Sequence, residues 1–176
     1  MMNQFEKARL EYKPEQIKYL LVAETPPKSD SKRFFYFEDV TKQDSLFIET
    51  MKHLYPRQTE DLETKEIRRR KEEFLRRFQS DGFYLIDSLE EPFEERHSTR
   101  KKTKLISEGQ TKLLRKIQLL LTPETKIILI AVPVYHANHR FLLDNGIPVL
   151  NEEPIDFPGS GGQIKFKTKM GRILNL

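Results

Sequence analysis

The sequence predicts an α/β fold in three layers, with a central, mostly parallel four-stranded sheet flanked by helices. Two observations predict it. Four short runs, "IKYLLVA", "FYLID", "TKIILIAV" and "IPVL", are apolar almost throughout and of strand length. Strands buried on both faces have that pattern. The segments between them place apolar residues three and four apart, and strands that alternate with helices imply a parallel sheet. A chain of 176 residues is expected to form a single domain, 1–176, with a core of its own.

Taken in order, residues 1–16 are polar and read as an N-terminal arm or short helix. The first strand, 17–23, stops at Glu24 and "TPP". "KSDSKR" is a loop, and "FFYF" (34–37) is a short aromatic segment whose type the pattern leaves open. Phe47, Met51, Leu54 and Tyr55 then recur at helical spacing, and Pro56 ends the run. A second, charged helix covers 59–82 with Gly82 at its end, and "FYLID" (83–87) is the second strand. Residues 88–104 lack an apolar period and are expected to form a mobile connection. Leu105, Leu113, Leu114, Ile117 and Leu121 mark a further helix before the third strand. "PVYHANHRFLLDNG" reads as a helix opened by Pro133 and stopped by Gly146. "IPVL" (147–150) is the fourth strand, followed by a glycine loop and a basic helix or tail.

Composition excludes several chemistries. Without cysteine there is no disulfide, thiolate metal site, cysteine-ligated iron–sulfur cluster or cysteine nucleophile. No apolar run reaches membrane-span length, so no membrane partner is expected, and a cytoplasmic setting is the default. The net charge is +4, and Lys165, Lys167, Lys169 and Arg172, which follow the last acidic residue Asp156, account for all of it. Such a patch suits phosphates, in nucleic acid or another polyanion, although solvated helix faces look the same in sequence.

Ligands of parallel sheets bind outside the carboxyl ends of the strands. Glu24, Asp87 and the loop "PGSGG" follow three of the four predicted strands and could share one crevice. Glu24 suits a general base or the stabiliser of a developing cation. The bland alternative is a loop carboxylate paired with Arg33. The aromatics Phe34, Phe35 and Tyr36 suit either a stacking surface for a base or the core. Pro158, Gly159, Ser160, Gly161 and Gly162 form an anion nest or an ordinary turn, with Lys165 and Lys167 just downstream. The loop is neither a P-loop nor a dinucleotide fingerprint. His136 and His139 share a helix face but lack a third ligand motif, so neither a metal nor a cofactor is expected.

In this order the motifs resemble the uracil-DNA glycosylase superfamily over roughly residues 17–170. "VAETPP" is similar to the motif that ends that family's first strand, which implies a water-activating or cation-stabilising role for Glu24. "RFFYF" is similar to the segment whose aromatic stacks on the flipped base, which implies base contact by Phe34, Phe35 or Tyr36. Asp87 stands where the family has a base-reading asparagine. "FPGSGG" stands where it has a DNA-gripping His-Pro-Ser loop, with Phe157 in place of histidine. An ionised Asp87 only accepts hydrogen bonds, so it suits an exocyclic amino group better than uracil. The resemblance implies a glycosylase-like fold, DNA as partner, phosphate contact by the 158–162 loop with Lys165 and Lys167, and N-glycosidic hydrolysis of a flipped base. Two alternatives stay open: a non-catalytic nucleic-acid-binding or scaffold protein on the same fold, and a small-molecule enzyme that binds a phosphate or nucleotide.

Overall fold

The computed structural model describes every residue except Ser29 and Ser160. The elements run α1 (Gln4–Glu11), β1 (Tyr19–Ala23), α2 (Ser45–Leu54), α3 (Pro56–Thr59), α4 (Thr64–Arg69), α5 (Lys71–Ser80), β2 (Phe83–Asp87), α6 (Thr99–Glu108), α7 (Gln110–Leu120), β3 (Lys126–Leu129), α8 (Val132–Asp144) and α9 (Gln163–Leu174). Three strands form one parallel sheet in the order β2-β1-β3. Tyr19 lies opposite Phe83 and Lys126, and Val22 opposite Ile86 and Leu129. Successive residues Leu20, Leu21, Val22 and Ala23 are all buried. Side chains alternate faces along a strand, so helices and loops cover both faces of the sheet.

The predicted fourth strand is not a strand. Val149 and Ile155 make only isolated parallel bridges to Ile127 and Ile130. Two prolines, Pro148 and Pro154, remove backbone donors from this stretch. Between the bridges the side chain of Asn151 takes the strand's place. Its Oδ1 accepts from Leu129 N–H at 2.9 Å, and its Nδ2 donates to Leu129 O at 3.1 Å. The edge of β3 is thus satisfied by a side chain.

Two predicted helices are broken. The charged segment 59–82 is not helical over 60–63, between α3 and α4, and breaks again at Arg70, whose φ of −97° and ψ of 22° end α4 before α5 begins. The later helix starts earlier than the apolar period does, at Thr99, where the Ser98 hydroxyl accepts from Lys101 N–H at 3.2 Å. It is interrupted at Gly109, where a Cβ would come within 2.5 Å of a Leu89 methyl. The predicted 88–104 connection therefore ends as helix. Its start is held by Ser88 and Leu89, whose N–H groups donate to Ala23 O and Glu24 O.

The N-terminal arm is the helix α1, capped by Asn3 Oδ1, and it buries Phe5 and Arg9. The aromatic segment is a turn, closed by Phe37 N–H on Phe34 O at 3.0 Å. Tyr36 is buried there and serves the sheet edge. Its hydroxyl accepts from Leu85 N–H at 2.7 Å and donates to Leu85 O at 3.2 Å.

Candidate functional site

From β1 the chain goes to β2 on one side, then crosses to β3 on the other. The carboxyl end of β1 is therefore the switch point of the sheet, where such folds open a crevice. Glu24 follows β1 directly, and two clefts meet at it. The first, of about 450 Å³, is walled by Phe34, Phe35 and Phe47, with Asp44 and Asp87 also lining it. The second, of about 340 Å³, is lined by Lys102, Ala131, Gly161, Gly162 and Lys165 among others. Glu24 and Phe157 line both. Phe157 is 44% exposed, an aromatic standing between an apolar cleft and a polar one.

The Glu24 carboxylate is paired with Lys102 of α6, Nζ to Oε2 at 2.9 Å. Its bland alternative partner, Arg33, is engaged elsewhere, donating to Ser31 Oγ and Gln43 Oε1. Lys102 also lies 5.6 Å from the centre of the Phe93 ring. These contacts hold Glu24 at the junction of the two clefts with its charge balanced.

Phe34, Phe35 and Tyr36 all lie in the core, at 2%, 6% and 1% exposure, which is the packing alternative; Phe34 and Phe35 border the first cleft from there and Tyr36 does not. The turn sends successive rings in different directions, and the Tyr36 hydroxyl is engaged by β2. Asp87 reaches the cleft, yet Arg9 of α1 donates to its Oδ2 at 2.6 Å. Burial raises the Asp87 carboxyl above its usual range, and Arg9 opposes that shift without cancelling it. Burial would lower the Arg9 guanidinium, but Asp87 and Glu6 together hold it above its usual range. One oxygen of the predicted base-reading carboxylate is thus already engaged inside the protein.

The second cleft gathers positive helix ends. Thr99 opens α6, Val132 and Pro133 open α8, Gly162 precedes α9, and all four line it. None of these three helices has an acidic residue in its first turn. Helix N-termini carry unsatisfied N–H groups and partial positive charge, so they favour anions. Ala131, between β3 and α8, has φ 83° and ψ 142°, a conformation that a side chain disfavours.

The glycine loop departs from a nest of free amides. Gly162 N–H donates to Gly159 O at 3.0 Å. A Cβ at Gly162 would lie 2.2 Å from Phe157 O, so glycine is needed there for the loop to close on Phe157. Pro158 is buried, and neither it nor Gly159 lines either cleft. Ser160 lies outside the described residues. Lys165 lines the second cleft, but Lys167 lines neither and lies near His53 of α2. Lys169 donates to Asp156, and Arg172 pairs with Glu153. Half of the basic tail is therefore neutralised within the protein. Tyr135 stacks on His139 at 4.4 Å, and among the described residues no group of three acidic or histidine side chains is placed to hold a metal.

Four residues of this region escape sequence reasoning: Arg9, Asp44, Phe47 and Lys102. Asp44 precedes an apolar-periodic helix, which reads as an N-cap. In the structure it makes no cap bond, because Arg68 holds its Oδ1 through Nε at 2.9 Å and Nη2 at 2.7 Å.

No protein-family model, curated protein or solved structure matches this chain. No helix among the described residues is long and apolar enough to cross a membrane.

Proposed function

We propose that this chain is a uracil-DNA glycosylase-like protein that binds DNA, takes a flipped base into the first cleft and hydrolyses its N-glycosidic bond. The supporting observation is the meeting of two unlike clefts at Glu24. One is bordered by the buried rings of Phe34, Phe35 and Phe47; the other by three helix N-termini and Lys165, with Glu24 and Asp156 also on its wall. A flipped nucleotide has this division: a flat ring at one end and a phosphate at the other. Its sugar would lie at the junction, beside Glu24. Loss of the base leaves positive charge on the sugar, which a carboxylate stabilises. Water adds its oxygen to C1′ as the C–N bond breaks, and one proton goes to the departing base.

The test is base release from oligonucleotides carrying uracil, hypoxanthine or other altered bases. Wild type is expected to release at least one of them, and Glu24→Gln to slow release by about 10²-fold or more while leaving DNA affinity intact. If every base survives incubation with wild type, hydrolysis is wrong. The second reading is a non-catalytic DNA-binding protein on the same fold. It is favoured by the two internal ion pairs, Glu24 with Lys102 and Asp87 with Arg9. Salt-dependent DNA binding without base release would select it.

A further inference from the structure

A further cavity, of about 540 Å³, lies at the carboxyl end of β2, next to Asp87 and Ser88. Leu89, Phe93 and Leu105 wall it, and all three are half-buried, so a molecule inside can touch them. Lys116 of α7 lines the same cavity and is also half-buried. The charges around it are already matched to one another. Arg9 pairs with Asp87 and Glu6, and Glu90 pairs with Lys112, one turn earlier on α7. Among the described residues Lys116 has no ion pair or hydrogen bond of its own. Burial lowers the Lys116 ammonium below its usual range and Arg9 adds to that, while Glu6, Asp87 and Glu90 oppose the shift without cancelling it. Lys112 shifts the other way, raised chiefly by its hydrogen bond to Glu90. Desolvation and an adjacent cation are two devices that make a lysine amine nucleophilic.

The wall of the cavity also limits what Lys116 can meet. It carries five carboxylates, Asp87, Glu90, Glu91, Glu94 and Glu95, against three lysines. That excess disfavours a phosphate or carboxylate ligand. A neutral carbonyl compound meets no such barrier, and its apolar part suits Leu89, Phe93 and Leu105. We propose that Lys116 is a nucleophilic amine that forms a Schiff base with a neutral aldehyde or ketone held in this cavity. The Nζ lone pair forms a C–N bond to the carbonyl carbon. The carbonyl oxygen leaves as water with both amine protons, so no oxidant or reductant is needed. The chemistry requires no nucleic acid and is independent of the DNA reading.

The experiment treats the full-length protein with benzaldehyde and cyanoborohydride, which reduces a Schiff base to a stable benzylamine. Labelled lysines are located by peptide mass spectrometry. Lys101 is the reference, an exposed lysine on the wall of the same cavity. Near neutral pH, Lys116 is expected to label about tenfold faster than Lys101. The difference should narrow at high pH, where lysines generally lose their proton, and vanish in urea. Glyoxylate, an anionic aldehyde, should favour Lys116 over Lys101 less than benzaldehyde does. Lys116→Arg keeps the charge, and a variant with an unchanged melt should carry no label at this position. Labelling of Lys116 no faster than Lys101, or a preference that survives in urea, overturns the proposal. A stronger preference for Lys116 with glyoxylate than with benzaldehyde would mean that the cavity takes an anion, which overturns it as well.

Discussion

Lys71 shows how one side chain can be misplaced by its sequence neighbours. It sits in "RRRKEEF", a stretch that reads as solvated charge, yet it is 1% exposed. The signal was present: Lys71, Phe74, Leu75 and Phe78 share one helical face, and all four are buried. Its Nζ donates to Phe34 O at 3.2 Å and lies 4.4 Å from the centre of the Phe47 ring. Burial pushes the Lys71 ammonium down to about 7, with Asp44 opposing and Arg68 reinforcing the shift. The unfolded chain holds this proton up to its ordinary value, so stability rises with pH between about 7 and 10.4. Below about pH 7 both states are charged and the burial penalty is complete. Lys71→Met should therefore stabilise the protein by about 3 kcal/mol at pH 6, with the gain shrinking toward pH 10. Melts of both proteins across that range test it, and a gain that does not change with pH would mean that Lys71 titrates normally. Residue-scale pairings such as Arg9 with Asp87 were not legible, because 78 positions separate the partners and nothing local marks them.

Elements were legible where periodicity was strong, and their ends were not. β1, β2 and β3 fall within the predicted apolar runs, since a strand covered on both faces leaves an unbroken apolar signature. "IPVL" carries the same signature but fails as a strand, because its pairing depends on backbone donors that apolarity does not report. Asn151 replaces them, and its third bond, Nδ2 to Glu153 O at 3.0 Å, ties down the residues that follow it. Asn151→Leu would leave Leu129 N–H and C=O unpaired in a buried place. The expected loss is about 2–4 kcal/mol, read as a lower urea midpoint. Asn151→Asp keeps an acceptor for Leu129 N–H and loses the donor, so it should weaken the fold too. If Asn151→Leu unfolds at the wild-type midpoint, the side chain is not the substitute for a fourth strand.

At the scale of the whole molecule, the sequence pointed to the strand ends that converge, because the carboxyl ends of parallel strands must lie on one side of the sheet. It overstated the charge available there. Counting lysines cannot reveal that Lys169 and Arg172 are balanced by Asp156 and Glu153, or that Lys167 lies toward α2. On the proposed reading, the field a phosphate would meet at the second cleft comes from Lys165 and three helix ends, with Lys102 shared with Glu24 and with the Asp156 carboxylate, paired to Lys169, also on its wall. Each phosphate neutralised contributes about 0.9 to the slope of log affinity against log salt on duplex DNA. Contact with about two phosphates gives a slope near −2, far shallower than a chain using all four tail cations and the basic blocks before them. Lys165→Ala should lower the magnitude of the slope by about 1, and Lys167→Ala should leave it unchanged. Fluorescence anisotropy on a labelled duplex across a salt series measures both. Equal losses from the two substitutions would mean that the whole face of α9 meets the duplex, and the cleft would then not be what limits phosphate contact.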